Sequence, residues 1–164
     1  MKITKEFPGL VESSWCFRFN GSIETEESIE IDLGNKWLVV SGSLRAGWGI
    51  EAGWGIEAGE GIKAGEGIKA VGGIKAGWGI KAGGGIKAGW GIEAGWGIKA
   101  GWGIEAGWGI EAGLFIKCRG VLKLAFNLFA GTATWKKAEG EDLVVEAKRI
   151  EGDVKSGNVR LLTK

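Results

Sequence analysis

The sequence predicts an all-β fold, a single parallel β-solenoid with six residues on each side, and three features of its central part support this. Between residues 44 and 121 an aliphatic residue recurs at every sixth position without a change of register. Almost every repeat also contains two glycines, and each would cost about 1 kcal/mol relative to alanine in a helix. Isoleucine and alanine flank a charged residue, as in Ile50-Glu51-Ala52, so both apolar side chains point to one side of a strand.

The repeat has the form Ile-(Glu/Lys)-Ala-Gly-X-Gly. Its aliphatic position is occupied by Leu44, Ile50, Ile56, Ile62, Ile68, Ile74, Ile80, Ile86, Ile92, Ile98, Ile104, Ile110 and Ile116. A unit of this length cannot bury its apolar face alone, so successive units must stack. We expect Ile and Ala to form the core, the charged residue to point outwards, and Gly-X-Gly to form a corner. Glycine reaches positive φ values, which a sharp bend often needs.

Two turn lengths are compatible with this repeat. A turn can consist of three six-residue sides, or of two such sides in a flattened tube. Parallel strands place equivalent residues in ladders about 4.8 Å apart. Left-handed hexapeptide helices of bacterial acyltransferases need a small residue two places before the aliphatic position, but here that place holds residues such as Trp48 and Glu60. We therefore expect three sides per turn and a right-handed solenoid.

The sequence divides into three parts. Residues 1–43 predict an N-terminal β cap, with a hairpin turn at Asn20-Gly21 and alternating strands at 15–19, 28–33 and 36–40. Residues 44–121 form the hexapeptide-repeat β-solenoid. Residues 122–164 lose the glycines, become bulkier and are predicted to be a C-terminal capping segment. Non-repeat β caps are expected because a bare final strand exposes an unpaired sheet edge.

Composition argues against several functional classes. The chain has 21 basic and 20 acidic residues, a net charge of +1, so its overall attraction for nucleic acid or anionic membranes is small. No apolar run is long enough to span a membrane, and no secretory pattern is present. Cys16 and Cys118 are isolated thiols, as expected of a reduced, cytoplasmic protein.

Catalytic chemistry is not expected. The chain contains no histidine, the commonest general base and metal ligand, and no glycine-rich phosphate-binding loop followed by a helix. Glu57, Glu93 and Glu111 would share a ladder, and we interpret them as a solvated edge rather than an acid-base site. We predict a non-enzyme without catalytic residues, cofactor or metal.

Candidate interaction residues occupy the two variable positions of the repeat. The corner tryptophans are Trp48, Trp54, Trp78, Trp90, Trp96, Trp102 and Trp108. With three sides per turn, Trp54, Trp90 and Trp108 fall in one ladder and Trp78 and Trp96 in another. The charged residues of one side are Arg45, Lys63, Lys81, Lys99 and Lys117, an unbroken basic ladder.

These rows predict interaction surfaces. Exposed apolar corners are typical of contact surfaces, unless the terminal segments fold over them. Aromatic rows next to cationic rows are typical of platforms for single-stranded nucleic acid or another polyanion.

The repeat resembles known repeat proteins in two ways. The segment Ala46-Gly47-Trp48-Gly49 resembles the repeats of bacterial ice-nucleation proteins, whose longer period and threonine-rich faces are missing here. The layout of residues 38–130 resembles hexapeptide-type parallel β-helix proteins and, among them, bactofilins, the polymer-forming cytoskeletal proteins of bacteria. This resemblance implies end-to-end stacking of solenoids without a nucleotide.

We therefore expect a non-catalytic, rigid scaffold. It would self-associate as a homodimer or polymer, or bind another protein, nucleic acid or nucleoprotein along its tryptophan and charge ladders, with no membrane partner. The alternative is a small inhibitor encoded by a phage or mobile element, similar to anti-CRISPR proteins, that binds a host nucleoprotein. Its basis is the small size of the chain and its patterned charge.

Overall fold

The computed structural model describes residues 1–163 and shows an all-β parallel solenoid with three faces. In the repeat the chain passes through three six-residue sides in each turn, because Ile62 pairs with Ile80 and Ile80 with Ile98. The predicted three-sided turn is confirmed, and the two-sided alternative is wrong. In the described range the only helical segment is a 3-10 turn at Gly140–Leu143.

Each face is a ladder of parallel strands. Face 1 contains β1 (Lys2–Ile3), β5 (Ile29–Ile31), β8 (Ile50–Ala52), β11 (Ile68–Ala70), β14 (Ile86–Ala88) and β17 (Ile104–Ala106). Face 2 contains β2 (Leu10–Glu12), β3 (Cys16–Phe19), β6 (Trp37–Val40), β9 (Ile56–Ala58), β12 (Ile74–Ala76), β15 (Ile92–Ala94) and β18 (Ile110–Ala112). Face 3 contains β4 (Ile23–Thr25), β7 (Leu44–Ala46), β10 (Ile62–Ala64), β13 (Ile80–Ala82), β16 (Ile98–Ala100), β19 (Ile116–Cys118), β21 (Val144–Ala147) and β23 (Asn158–Leu161). Strands β20 (Val121–Ala130) and β22 (Arg149–Ser156) pair with each other and extend from face 1 to face 2.

The parallel ladders continue beyond the repeat. β4 pairs with β7 and β5 with β8, so the chain already winds as a solenoid before residue 44. The hairpin predicted at Asn20-Gly21 is wrong, because β3 pairs with β6 and not with β4. These two residues instead carry the chain around a corner onto face 3, where β7 offers β4 a parallel partner. Within residues 1–163 the only antiparallel pair is β2 with β3.

The core is a narrow column of stacked isoleucine and alanine side chains. Every isoleucine of the repeat from Ile50 to Ile116 is at most 2% exposed, and every alanine from Ala52 to Ala112 is at most 3% exposed. Burying one isoleucine side chain contributes roughly 1.5–3 kcal/mol. Since each turn buries its core only against its neighbours, stacking is what stabilises the fold.

Glycine is needed in the repeat for close approach and not for positive φ. Between residues 44 and 121, all of which the structure describes, no glycine has a positive φ, so the predicted reason for the glycines is wrong. At the first glycine of a corner, a Cβ atom would collide with the backbone of the preceding turn. A Cβ at Gly65 would overlap the carbonyl oxygen of Gly47, and one at Gly83 would overlap that of Gly65. Two corners of the repeat nevertheless accept a side chain at this position, namely Val71, which is 55% exposed, and Arg119.

Candidate binding surfaces

Each six-residue unit presents two variable positions to solvent. The charged residue projects from the middle of a strand, between the two buried core residues. The X residue projects from the corner. Corners 1, 2 and 3 are named here after the face that follows each of them along the chain. Because every turn has the same length, residues at equivalent positions form columns along the solenoid.

Face 3 presents the basic ladder. Its members pair in register from turn to turn and are Arg45, Lys63, Lys81, Lys99 and Lys117. This is the column that a three-sided turn predicts, and its role in binding stays a prediction. The charged residues of faces 1 and 2 include both signs and form the mixed columns.

Among the ion pairs of residues 1–163, the basic ladder takes part only at its two ends. Arg45 Nη1 lies 3.6 Å from Glu24 Oε1, and Lys117 Nζ lies 2.7 Å from Glu141 Oε2. Hydrogen bonds from Arg160 and Lys117 lower the pKa of Glu141 to about 2, so this end stays paired at neutral pH.

The three central lysines of the ladder differ from its ends. Among residues 1–163, no carboxylate oxygen lies within 4.0 Å of the ammonium groups of Lys63, Lys81 and Lys99. All three side chains are exposed. Face 3 therefore carries three consecutive unneutralised cations.

The mixed column of face 1 is balanced in charge, whereas that of face 2 has one lysine, Lys75, against the three glutamates Glu57, Glu93 and Glu111. On face 1, Lys69 Nζ lies 2.7 Å from Glu51 Oε1, and Lys87 pairs with Glu105 at 3.3 Å. Exposed pairs of this kind contribute only about 0–1 kcal/mol each. Their main consequence is that the face 1 column presents little net charge, whereas the face 2 column stays acidic.

Corner 2 brings together three of the predicted interaction residues. Trp54, Trp90 and Trp108 lie in one column, where the backbone N–H of Trp108 donates to the carbonyl of Trp90. The ring centroids of Trp54 and Trp90 are 5.2 Å apart, and those of Trp90 and Trp108 are 6.0 Å apart. Gly72 stands between the first two, and its missing side chain lets the indoles lean together.

Residues outside the repeat extend this surface, which we call the aromatic corner. It consists of Trp37, Trp54, Trp90, Trp108, Phe126 and Phe129. Trp108 is 59% exposed and Phe126 is 61% exposed. A groove of about 470 Å³ runs along it and is otherwise bordered by charged residues such as Glu93 and Glu111. The aromatic corner thus joins six aromatic side chains in one surface.

Corner 3 contains a second aromatic stack. The rings of Trp78 and Trp96 are stacked with centroids 6.3 Å apart, and Trp135 stacks on Trp96 from the other side at 5.4 Å. The C-terminal segment thus reaches one repeat tryptophan. It leaves Trp78 53% exposed and Trp96 50% exposed, so the indoles are not covered.

Corner 1 does not form an aromatic surface. Trp48 and Trp102 share its column, but Glu66 and Gly84 separate them. Trp102 is 75% exposed and has no stacking partner among the described residues. Trp102 was predicted as an interaction residue, and the structure does not bring it together with the other indoles.

The second glycine of each corner forms the floor of a groove along the solenoid. Two aromatic residues replace this glycine and lie in the groove. The ring of Trp37 covers Gly55 and Gly73 in corner 2, and that of Phe115 covers Gly97 in corner 3. Neither aromatic was predicted from the sequence to lie in a groove. Both stand directly before the aliphatic position, where the repeat has glycine, so the register could have indicated them.

The three glutamates that were predicted to share a ladder do so on face 2. Glu57 and Glu93 lie on either side of Lys75 on face 2, and Glu111 follows Glu93. Lys75 Nζ lies 3.1 Å from Glu93 Oε1. Within residues 1–163 no group of three or more histidine, cysteine or acidic residues is arranged to hold a metal ion.

Cys118 provides a pH-dependent contribution to stability. It occupies an alanine position of the repeat, is 3% exposed, and burial raises the pKa of its thiol to about 11 from an ordinary value of 9.0. The folded state therefore holds the thiol proton more tightly than the unfolded state. This contribution is fully present below pH 9 and is lost as the pH rises towards 11.

We expect Cys118→Ala to reduce the loss of stability in that pH window. Urea unfolding of both proteins just below pH 9 and near pH 11 measures the difference. Cys16, which is also buried, is present in both proteins and serves as an internal control. Equal losses in the two proteins would contradict the assignment.

Comparison with known proteins identifies no relative. No family model matches the chain, and neither a curated protein nor a solved structure is significantly similar to it. Within residues 1–163, no helix has the length and hydrophobicity to cross a bilayer.

Proposed function

We propose that the protein is a non-catalytic, rigid scaffold that acts through association along its exposed ladders, and that it self-associates through the aromatic corner. The observation that supports this most directly is the contiguity of that surface. Trp90 contacts rings in three turns, and the column continues through Trp108 to Phe126. Soluble monomers rarely leave such a patch uncovered.

The geometry of the aromatic corner suits a two-fold contact between copies. In such a contact the same patch faces itself, so a straight column of rings can pack against its own copy. The inter-ring contacts and the stacked turns hold these side chains in place before association. Preorganisation lowers the entropic cost of binding.

We expect Trp108→Ser combined with Phe126→Ser to weaken self-association at least about tenfold, because each large exposed ring contributes roughly 1.5–3 kcal/mol when it is buried. Sedimentation velocity over a concentration series measures the effect. The matched control is Trp48→Ser with Trp102→Ser, which removes two exposed indoles from corner 1. A wild-type protein that is monomeric throughout, or equal weakening by both pairs of substitutions, would refute self-association through the aromatic corner.

A bactofilin-like polymer would use a different surface. In end-to-end stacking, the terminal strands of one solenoid would continue the ladders of the next, and the aromatic corner would stay exposed. Electron microscopy separates the two modes. Rods that lengthen along the solenoid axis support end-to-end stacking, whereas side-by-side pairs support the aromatic corner.

A second proposal is a small inhibitor of a host nucleoprotein, of the kind that phages and mobile elements encode. The basic ladder favours it, because three unneutralised lysines on a rigid face suit a surface rich in phosphate. A protein that stays monomeric at all concentrations supports this role over the self-associating scaffold, because the two-fold contact at the aromatic corner would itself give a dimer.

A further inference from the structure

We propose that corner 3 and face 3 form a binding site for single-stranded nucleic acid, with bases in the glycine groove and phosphates on the basic ladder. The site shares no residue with the aromatic corner. It therefore goes beyond self-association and can be tested separately from it.

The groove of corner 3 has a defined shape. Its floor consists of Gly61, Gly79 and Gly97, and its volume is about 260 Å³. One wall is the basic ladder, and Phe115 closes one end. The Trp78 and Trp96 column runs along the other side of the glycines. A floor of glycines thus lies next to a row of cations.

Phe115 shows what this groove accepts. Its ring fills the space above Gly97, and Lys117 Nζ lies 5.3 Å from the ring centroid. An aromatic ring is thus held between a glycine floor and an ammonium group, which stabilises it by a cation–π interaction.

The same arrangement recurs, without its ring, one and two turns away. Lys99 has the same position relative to Gly79 as Lys117 has relative to Gly97. Lys81 has this position relative to Gly61. A Cβ at Gly79 would meet only the carbonyl oxygen of the next turn, at 3.1 Å, and one at Gly61 would meet only its equivalent at 3.3 Å. The space above both glycines is open and could take the ring of a base.

The positive charge of the basic ladder favours an aromatic ligand that also carries negative charges. The ammonium groups of Lys63, Lys81 and Lys99 lack carboxylate partners within the described residues, so they are available to phosphates. The nearby carboxylate of Glu60 accepts a hydrogen bond from Ser43 Oγ at 2.7 Å and keeps its negative charge, so phosphates are expected on the lysine side of the groove. A chain that alternates planar rings with negative charges matches this surface.

Spacing favours a single strand over a duplex. Adjacent turns are about 4.8 Å apart, and a ring lying over the glycines covers more than one turn, as the ring of Trp37 covers Gly55 and Gly73. Bases in the groove are therefore spaced more widely than the stacked bases of a DNA duplex, which rise about 3.4 Å. A base that lies on the glycine floor must also be unpaired and unstacked. Sequence preference is expected to be small, because every base has an aromatic face.

Fluorescence anisotropy with a labelled oligodeoxythymidylate tests the proposal. Three lysine–phosphate contacts predict a slope of log K against log salt of about −2, or roughly 20-fold weaker binding at about 200 mM than at about 50 mM salt. Lys63→Gln, Lys81→Gln and Lys99→Gln together should reduce affinity at low salt by roughly tenfold or more and flatten this slope.

The matched charge control lies on face 1. Lys69→Gln, Lys87→Gln and Lys123→Gln together remove three charges from the mixed column, so both triple variants have a net charge of +1 minus three, or −2. If the two triple variants lose affinity equally, binding depends on net charge alone. That result would refute the assignment of the phosphate contacts to face 3.

A pair of glycine substitutions tests the groove itself. Gly61→Ala places a methyl group above the floor of corner 3, and Gly67→Ala places one at the equivalent point of corner 1. The two are sterically matched, since the nearest backbone oxygens would lie at 3.3 and 3.4 Å. We expect Gly61→Ala to weaken oligonucleotide binding severalfold and Gly67→Ala to have no effect.

Three other outcomes would overturn the proposal. They are the absence of binding at low salt, equal affinity for a duplex of the same length, and equal loss of binding in both alanine variants. Thermal unfolding of each variant confirms that it is folded. The variant Trp108→Ser/Phe126→Ser should bind the oligonucleotide normally, so a failure of self-association leaves this test intact.

Discussion

Gly65→Ala is expected to destabilise the protein by roughly 1–3 kcal/mol, the typical cost of overpacking. The Cβ of an alanine at this position would overlap the carbonyl oxygen of Gly47 in the preceding turn. That oxygen belongs to the backbone and cannot move aside as a flexible side chain can. The turns would have to separate locally, which would weaken the hydrogen bonds between the backbones of the two turns.

Gly67→Ala provides the control for this substitution. It changes the other glycine of the same corner, where the nearest backbone oxygen would lie at 3.4 Å. We expect a change within about 1 kcal/mol, because this contact is tolerable and alanine restricts the unfolded chain. Equilibrium urea unfolding with unchanged m-values measures both free energies of unfolding. Equal stabilities of the two variants would show that close approach does not explain the first glycine.

Ile80→Ala is expected to reduce the free energy of unfolding by about 2–5 kcal/mol, the usual cost of such a truncation in a packed core. Ile80 is 1% exposed and stacks between Ile62 and Ile98 on face 3. Its loss leaves a cavity that the neighbouring turns cannot close, because the ladder hydrogen bonds hold their spacing.

Lys81→Ala, at the next residue, is the control for the core substitution. Its side chain points to solvent from the same strand, and surface changes of this kind alter stability by about 0.5 kcal/mol or less. Chemical unfolding of the two variants under identical conditions measures the difference. A loss of stability for Lys81→Ala as large as that for Ile80→Ala would contradict the division into a core side and a solvent side.

The repeat predicted most of the architecture because its period is short and its chemistry is strict. An Ile and an Ala separated by one charged residue allow only one orientation of the strand, and this alternation places Ile80 inside and Lys81 outside. The three-sided turn predicted which residues share a column, including the basic ladder. The division into core and solvent sides and the membership of the columns both follow from the local geometry of the strand and from the period of the repeat, which can be read from the sequence.

The predictions failed where local signals competed with long-range pairing. Asn20-Gly21 is a strong hairpin signal, but β3 and β4 each find a parallel partner in a neighbouring turn. A single repeat suggests that the glycines serve to bend the backbone. In the structure they leave room for the backbone of the preceding turn, and this close approach cannot be inferred from one repeat. In both cases the neighbouring turn decided the outcome.

The sequence by itself determined the tube, namely its core residues, its outward charges and the columns in which they stand. Only the tertiary structure decided which members of those columns are available. It shows that Glu141 neutralises Lys117 but that the three central lysines have no such partner in residues 1–163. It also shows Trp135 stacked on Trp96, and Phe115 in the glycine groove. Periodicity aligns residues that are one turn apart, whereas side-chain packing decides which of them remain open to a partner.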